Sequence, residues 1–146
     1  MDSGWVSRND FQDWCEIPTR WTDNDQYGHV NSAIYYSVFD TVIAGWLTRS
    51  LGVDPTSFGP LDVVAESACR FLHELRYPDV IEAGLRVDQI GYASVTYGIG
   101  LFAHGDPHPA AFGRVVLVYV DPKGRHPVQI PETIREALET LHAPAV

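Results

Sequence analysis

The chain has only two cysteines, Cys15 and Cys69. They make no disulfide framework and have no metal-ligand spacing, so neither a stapled scaffold nor a metal module is expected. Basic residues are scarce as well: ten Lys and Arg stand against nineteen Asp and Glu, a net charge of −9. A nucleic-acid partner is not expected, because phosphate contacts need a basic face. Long apolar runs are missing too. The longest uncharged stretch, Gln89 to Gly105, is 17 residues and is broken by Ser94, Thr96, Gly98 and Gly100 at alternate positions. That is the pattern of a strand and not of a bilayer span, so no membrane partner is expected. Met1 to Trp5 carries neither a basic region nor an apolar core, so a secretory leader is not expected. The expected setting is the cytoplasm.

What the chain does have is the composition of a folded domain. Its 146 residues, 45% hydrophobic and 20% charged, suit a single domain over residues 1–146. Ile81, Ala83, Leu85 and Val87 alternate with polar or small neighbours, as do Val95, Tyr97, Ile99 and Leu101, so each set predicts a strand. Phe112 to Val120 is apolar on both faces and predicts an interior strand. Val63 to Leu75 is a fourth candidate with weaker alternation. Phe11 to Arg20 is a fifth, confined to a sheet edge by Pro18. Turn residues at Tyr77-Pro78-Asp79, Gly105-Asp106-Pro107 and Asp121-Pro122-Lys123-Gly124 imply antiparallel connections.

One segment has another period. Val30, Ile34, Val38, Val42 and Trp46 recur every four residues, predicting a helix over Asn31 to Leu51. With only Asp40 and Arg49 charged inside it, this helix is expected to be buried on most sides. A short helix after Pro131 follows from Ile134, Leu138 and Leu141. The fold class is therefore α+β, a five-stranded antiparallel sheet curled around one long helix.

The densest polar cluster, Arg20-Trp21-Thr22-Asp23-Asn24-Asp25-Gln26-Tyr27-Gly28-His29-Val30-Asn31-Ser32, lies just before that helix. A calcium loop does not fit, since counting from Asp23 places Tyr27 and Ile34 where ligands belong. Asp23 suits a loop or capping role. Asp25 is the better chemical candidate. The first N–H groups of a helix have no internal partners and carry positive potential, so those near Val30 to Ser32 suit an oxyanion hole. One carboxylate beside such a hole is too little for an amide but enough for a thioester, whose thiol leaves without a proton donor.

This motif, with Tyr35 after it, resembles the signature of the hotdog-fold acyl-CoA thioesterases of the 4-hydroxybenzoyl-CoA thioesterase type. The likeness runs on through Val64 to Phe71, Gly91 to Tyr97 and Val116 to Asp121. It implies a hotdog fold, a homodimer or homotetramer with sites between subunits, and Asp25 as the catalytic carboxylate. Backbone N–H groups near Ser32 take the carbonyl-polarising position, with His29, Val30 and Asn31 around it. Tyr27, Tyr35, Glu66 and Ser94 are the candidate substrate contacts. Coenzyme A enters as part of the substrate; no cofactor or metal is implied. Lys123, Arg125 and His126, or Arg70 and Arg76, are the cations available to its phosphates. A small or medium acyl-CoA, aliphatic or aromatic, is the expected substrate. An enoyl-CoA hydratase or dehydratase using Asp25 and His29, and a non-catalytic acyl-CoA binding module, remain the alternatives.

Overall fold

The computed structural model describes residues 6–52 and 54–142. Five strands, β1 (Asp13–Pro18), β2 (Leu61–Phe71), β3 (Val80–Ile90), β4 (Ser94–Ala103) and β5 (Ala111–Val120), form one antiparallel sheet in the order β1-β3-β4-β5-β2. Helix α1 (Ser32–Leu51) lies across one face of the sheet, and α2 (Glu132–Glu139) packs beside it. Alternation places Ile81, Ala83, Leu85 and Val87 against α1, each 2% exposed or less. Pro18 sits at the end of an edge strand, where its missing N–H costs no ladder bond. The fold matches the one the sequence implies, with three corrections.

The first concerns α1, which is buried on one side and not on most. Tyr35, Val38, Phe39, Val42, Ile43, Trp46 and Leu47 face the sheet, while Ser32, Ala33, Tyr36, Ser37, Asp40, Thr41, Ala44 and Thr48 are exposed. Apart from Tyr36, Asp40 and Arg49 the outer face is made of small uncharged residues, which is why the sequence shows no strongly polar half. Thr41 and Thr48 turn their hydroxyls back onto the Ser37 and Ala44 carbonyls, both at 2.9 Å. Asn31 is the N-cap, its Oδ1 accepting from the N–H of Ala33 at 3.0 Å, and Gly52 closes the helix at φ 71°.

The second concerns β2. It stops at Phe71, four residues short of Leu75, and Leu75 is instead fully buried under the loop that precedes α1. The third concerns Phe11. It is not in a strand; its ring lies flat on the outer face of the sheet, over Gly84 and Gly100. A methyl group on Gly84 would stand 2.7 Å from that ring, and one on Gly100 2.6 Å. These two glycines, which read as the small side of an alternating pattern, are the seat of a second apolar cluster of Val6, Phe11 and Phe102 with Trp14 and Phe112. The Arg8 and Arg86 guanidinium groups cap it, 4.7 Å from the Phe102 centroid and 5.2 Å from the Phe112 centroid.

Candidate active site

The segment Arg20 to Asn31 folds tightly because its short polar side chains satisfy its own backbone. Asp23, 5% exposed, accepts the Arg20 N–H at 2.8 Å and the Arg20 guanidinium at 2.8 Å. Burial pushes its carboxyl upward, but the Arg20 bonds outweigh that and hold it below the ordinary value. This is the structural role expected of it. Asp25 is tied differently. Its Oδ1 accepts the N–H groups of Tyr27 at 2.8 Å and His29 at 3.3 Å, and its own N–H reaches the His29 carbonyl at 2.8 Å. Gly28, at φ 82°, makes the reversal that brings His29 back over Asp25. The second carboxylate oxygen of Asp25 has no hydrogen-bond partner among the described residues.

Not every N–H at the start of α1 is available. That of Val30 donates to the Leu75 carbonyl at 2.7 Å and that of Asn31 to the Asp23 carbonyl at 2.8 Å, while the Asn31 side chain takes that of Ala33. The proposed oxyanion groups therefore narrow to Ser32, the first residue of the helix. Its N–H alone in this stretch has no partner among the described residues. Val30 and Asn31 instead anchor the loop, so their roles are positional.

Asp25, His29, Val30, Asn31, Ser32 and Tyr35 line a cavity of about 480 Å³, closed on its other side by Phe71, Leu72, His73 and Glu74. Tyr35 is 4% exposed and meets Phe71 edge-on at 4.9 Å. Burial pushes its phenol above the ordinary value, so it serves as a neutral wall. The His29 Nε2 lies 2.8 Å from Glu74 Oε2, and an Arg76 nitrogen lies 4.0 Å from the same oxygen. Phe71 to Glu74 was not expected at the site. They arrive because the chain leaving β2 is clamped under the loop by the Val30–Leu75 bond, a long-range contact with no local motif.

The remaining candidates do not line this cavity. The Tyr27 side chain is 74% exposed and does not line the cavity, although its N–H orients Asp25. Glu66 is exposed on β2 and pairs with Arg114. Ser94 opens β4, packed against the Gly91 turn. Of the cations, Arg76 stands at the cavity rim beside Glu74, Arg70 is exposed on β2, and Lys123, Arg125 and His126 are exposed on the turn that Asp121 organises. Burial pushes the Cys69 thiol up to about 12, which removes it as a nucleophile.

A slightly larger hollow, about 520 Å³, lies on the outer face between Arg8, Asn9, Trp14, Cys15, Glu16 and Glu82. Glu16, Glu82 and His104 approach one another there as metal ligands do. Glu82 is already committed, however: it accepts from Arg8 at 2.6 Å, from the Gly105 N–H at 3.1 Å, and meets His104 at 3.1 Å. With the Arg8 cation held in its midst, the group fits a clamp on residues 6–12 and not a metal. The Asp25 cavity, by contrast, holds a carboxylate oxygen and a helix-start N–H without partners among the described residues.

A family model described as the thioesterase-like superfamily matches residues 19–138. Among solved structures, the PA5185 protein from Pseudomonas aeruginosa is 38% identical over 96% of this chain and 98% of its own, with a TM-score of 0.91. A thioesterase from Thermus thermophilus, solved with coenzyme A and Zn, is 26% identical over 94% of this chain and 98% of its own, with a TM-score of 0.78. The DHNA-CoA thioesterase from Staphylococcus aureus, 16% identical over 87% of this chain and 86% of its own, shares the fold at a TM-score of 0.76. No curated protein matches the chain.

Proposed function

The chain belongs to the thioesterase-like superfamily, and from that premise we propose that it hydrolyses acyl-CoA thioesters at the Asp25 cavity. The observation that carries this reading is the pairing of a half-tethered carboxylate with the one unengaged N–H of a helix start. Two backbone bonds fix Asp25 Oδ1, and Oδ2 acts as base or nucleophile. In the base route Oδ2 takes a proton from water and the hydroxide adds to the thioester carbon. The Ser32 N–H and the positive end of α1 stabilise the resulting oxyanion. The carbon–sulfur bond then breaks, the electron pair leaving with the thiolate. A small or medium acyl-CoA suits the cavity, and the coenzyme A seen on the Thermus relative supports a CoA thioester as substrate. Thiol release across a panel of acyl-CoAs tests the reading. Water addition to an enoyl-CoA without thiol release, or tight binding without turnover, overturns it in favour of a hydratase or a binding module.

Glu74 has a supporting part. By accepting at His29 Nε2 it leaves Nδ1 as the other ring position and holds the imidazole over the cavity. Because the pair is part-exposed, its effect is modest: Glu74→Gln is expected to lower kcat by about two- to fivefold. KM should stay within twofold or so. An unchanged kcat would leave Glu74 as a surface residue only.

The site is completed by a second copy. β2 is a sheet edge of 11 residues without proline or lysine, and it exposes Val64 and Phe71, 53% and 48%. An edge this long, with two large apolar side chains exposed, pairs with another strand, and a two-fold axis pairs it with itself, antiparallel. Phe71 lines the Asp25 cavity, so that cavity opens onto the partner. Sedimentation should give at least twice the chain mass. Val64→Lys should give monomers with most of the hydrolysis lost; an active monomer would remove the shared site.

A further inference from the structure

Among the described residues, two buried hydroxyls without a partner lie outside the Asp25 cavity. Tyr97 and Tyr119, 0% and 2% exposed, point hydroxyls into the interior, and no described residue hydrogen-bonds either of them. Leaving a buried hydroxyl unmatched is costly, so such groups are usually retained for a reason. Tyr119 lines a recess of about 30 Å³ with Asp62 and Thr56. That recess adjoins an open cavity of about 420 Å³ between the exposed face of α1 and the start of β2, which shares Asp62 and Thr56 with it. Asp40 and Asp54 face the same cavity, and no Lys, Arg or His lines it among the described residues. None of the three aspartates has an ion-pair partner there. Although Asp62 is exposed at the mouth of the cavity, partial desolvation there and then the charge of Asp40 push its carboxyl above the ordinary value. One buried tyrosine hydroxyl, that of Tyr119, and three carboxylates without a cation stand around these two joined hollows.

Antiparallel self-pairing of β2 reverses the strand, so the Asp62 end of one copy comes beside the Phe71 end of the other. The acidic cavity of one protomer then meets the Asp25 cavity of its partner. We propose that Asp62 and Tyr119, with Asp40 and Asp54 around them, bind a positively charged tip on the acyl group whose thioester is cleaved at the partner's Asp25. This rests on the thioesterase reading and on the β2 pairing, and it names the substrate class: acyl-CoA thioesters ending in an ammonium group. An ammonium supplies the missing charge and donates hydrogen bonds to Asp62 and to the Tyr119 oxygen, which no apolar tip can do.

Three matched thioesters test it: para-aminomethyl-, para-hydroxymethyl- and para-methylbenzoyl-CoA. For the wild type, kcat/KM for the ammonium compound is expected to exceed that for the methyl compound by roughly ten- to a hundredfold, with the hydroxyl compound between them. Asp62→Asn and Tyr119→Phe, the second of which removes a single oxygen, should each shrink the ratio. Calorimetry of the same compounds on Asp25→Asn protein reads the same preference without turnover. Should the wild type hydrolyse none of the three, the hydrolase reading fails while the calorimetric ratio still decides the subsite. A ratio near one, a hydroxyl tip favoured over the ammonium, or a preference that survives both substitutions overturns the assignment.

Discussion

Asp25→Asn is expected to lower kcat/KM for thioester hydrolysis by roughly a hundred- to ten-thousandfold, the range for loss of a positioned base, with the fold left intact. The substitution separates the two oxygens of the side chain. Asparagine keeps an acceptor at Oδ1 for the Tyr27 and His29 N–H groups, so the reversal at Gly28 still closes. What changes is Oδ2, the atom without a partner, which becomes an amide that neither takes a proton nor attacks carbon. Unchanged circular dichroism beside lost thiol release is the expected pair of results; a variant cleaving at near wild-type rate would take Asp25 out of the chemistry.

Asp23→Asn is the control, because the neighbouring acid does the opposite work. Asp23 is spent on Arg20 and the loop backbone. Its carboxyl is held below the ordinary value, so it contributes stability that is full above the ordinary carboxylate range and is lost as pH falls through the lowered value. Asp23→Asn should therefore cost thermal stability at neutral pH, shrink that loss on acidification, and leave turnover within about tenfold.

The difference between these two acids marks the limit of what the sequence conveys. The motif and the helix period locate the site, since both are local. Which helix-start N–H groups stay free is not local: the Leu75 carbonyl takes that of Val30 from 45 positions away, and only the folded chain removes it from the candidates. Glu74 is invisible for the same reason. The weak alternation of β2 has a physical cause as well. Its register shifts between Val64 and Glu66, so that Asp62 and Val64 pair with Tyr119 and Leu117 on the core side before the shift, while Ser67 and Cys69 pair with Val115 and Gly113 after it. The positions on the face shared with the buried side of β5 pass from even to odd numbers, which reads in the sequence as noise. The strands without such a shift over their core positions, as in Ile81 to Val87, read clearly.

Phe39→Ala is expected to destabilise the protein by about 3–5 kcal/mol, lowering the melting temperature on the order of 10 °C. Phe39 is 1% exposed at the middle of α1, and its ring lies against the bare backbone of Gly113 in β5, where any Cβ would overlap it. The ring and the glycine set how closely α1 approaches the sheet, and so where its first turn stands relative to Asp25. Gly113→Ala should accordingly destabilise by about 1–3 kcal/mol through overlap. In the double variant the two costs should not add, because the alanine at 113 partly fills the space that the lost ring leaves. Urea unfolding of the two single variants and the double one measures this coupling. Simple additivity would mean that Phe39 and Gly113 are not the contact that seats α1.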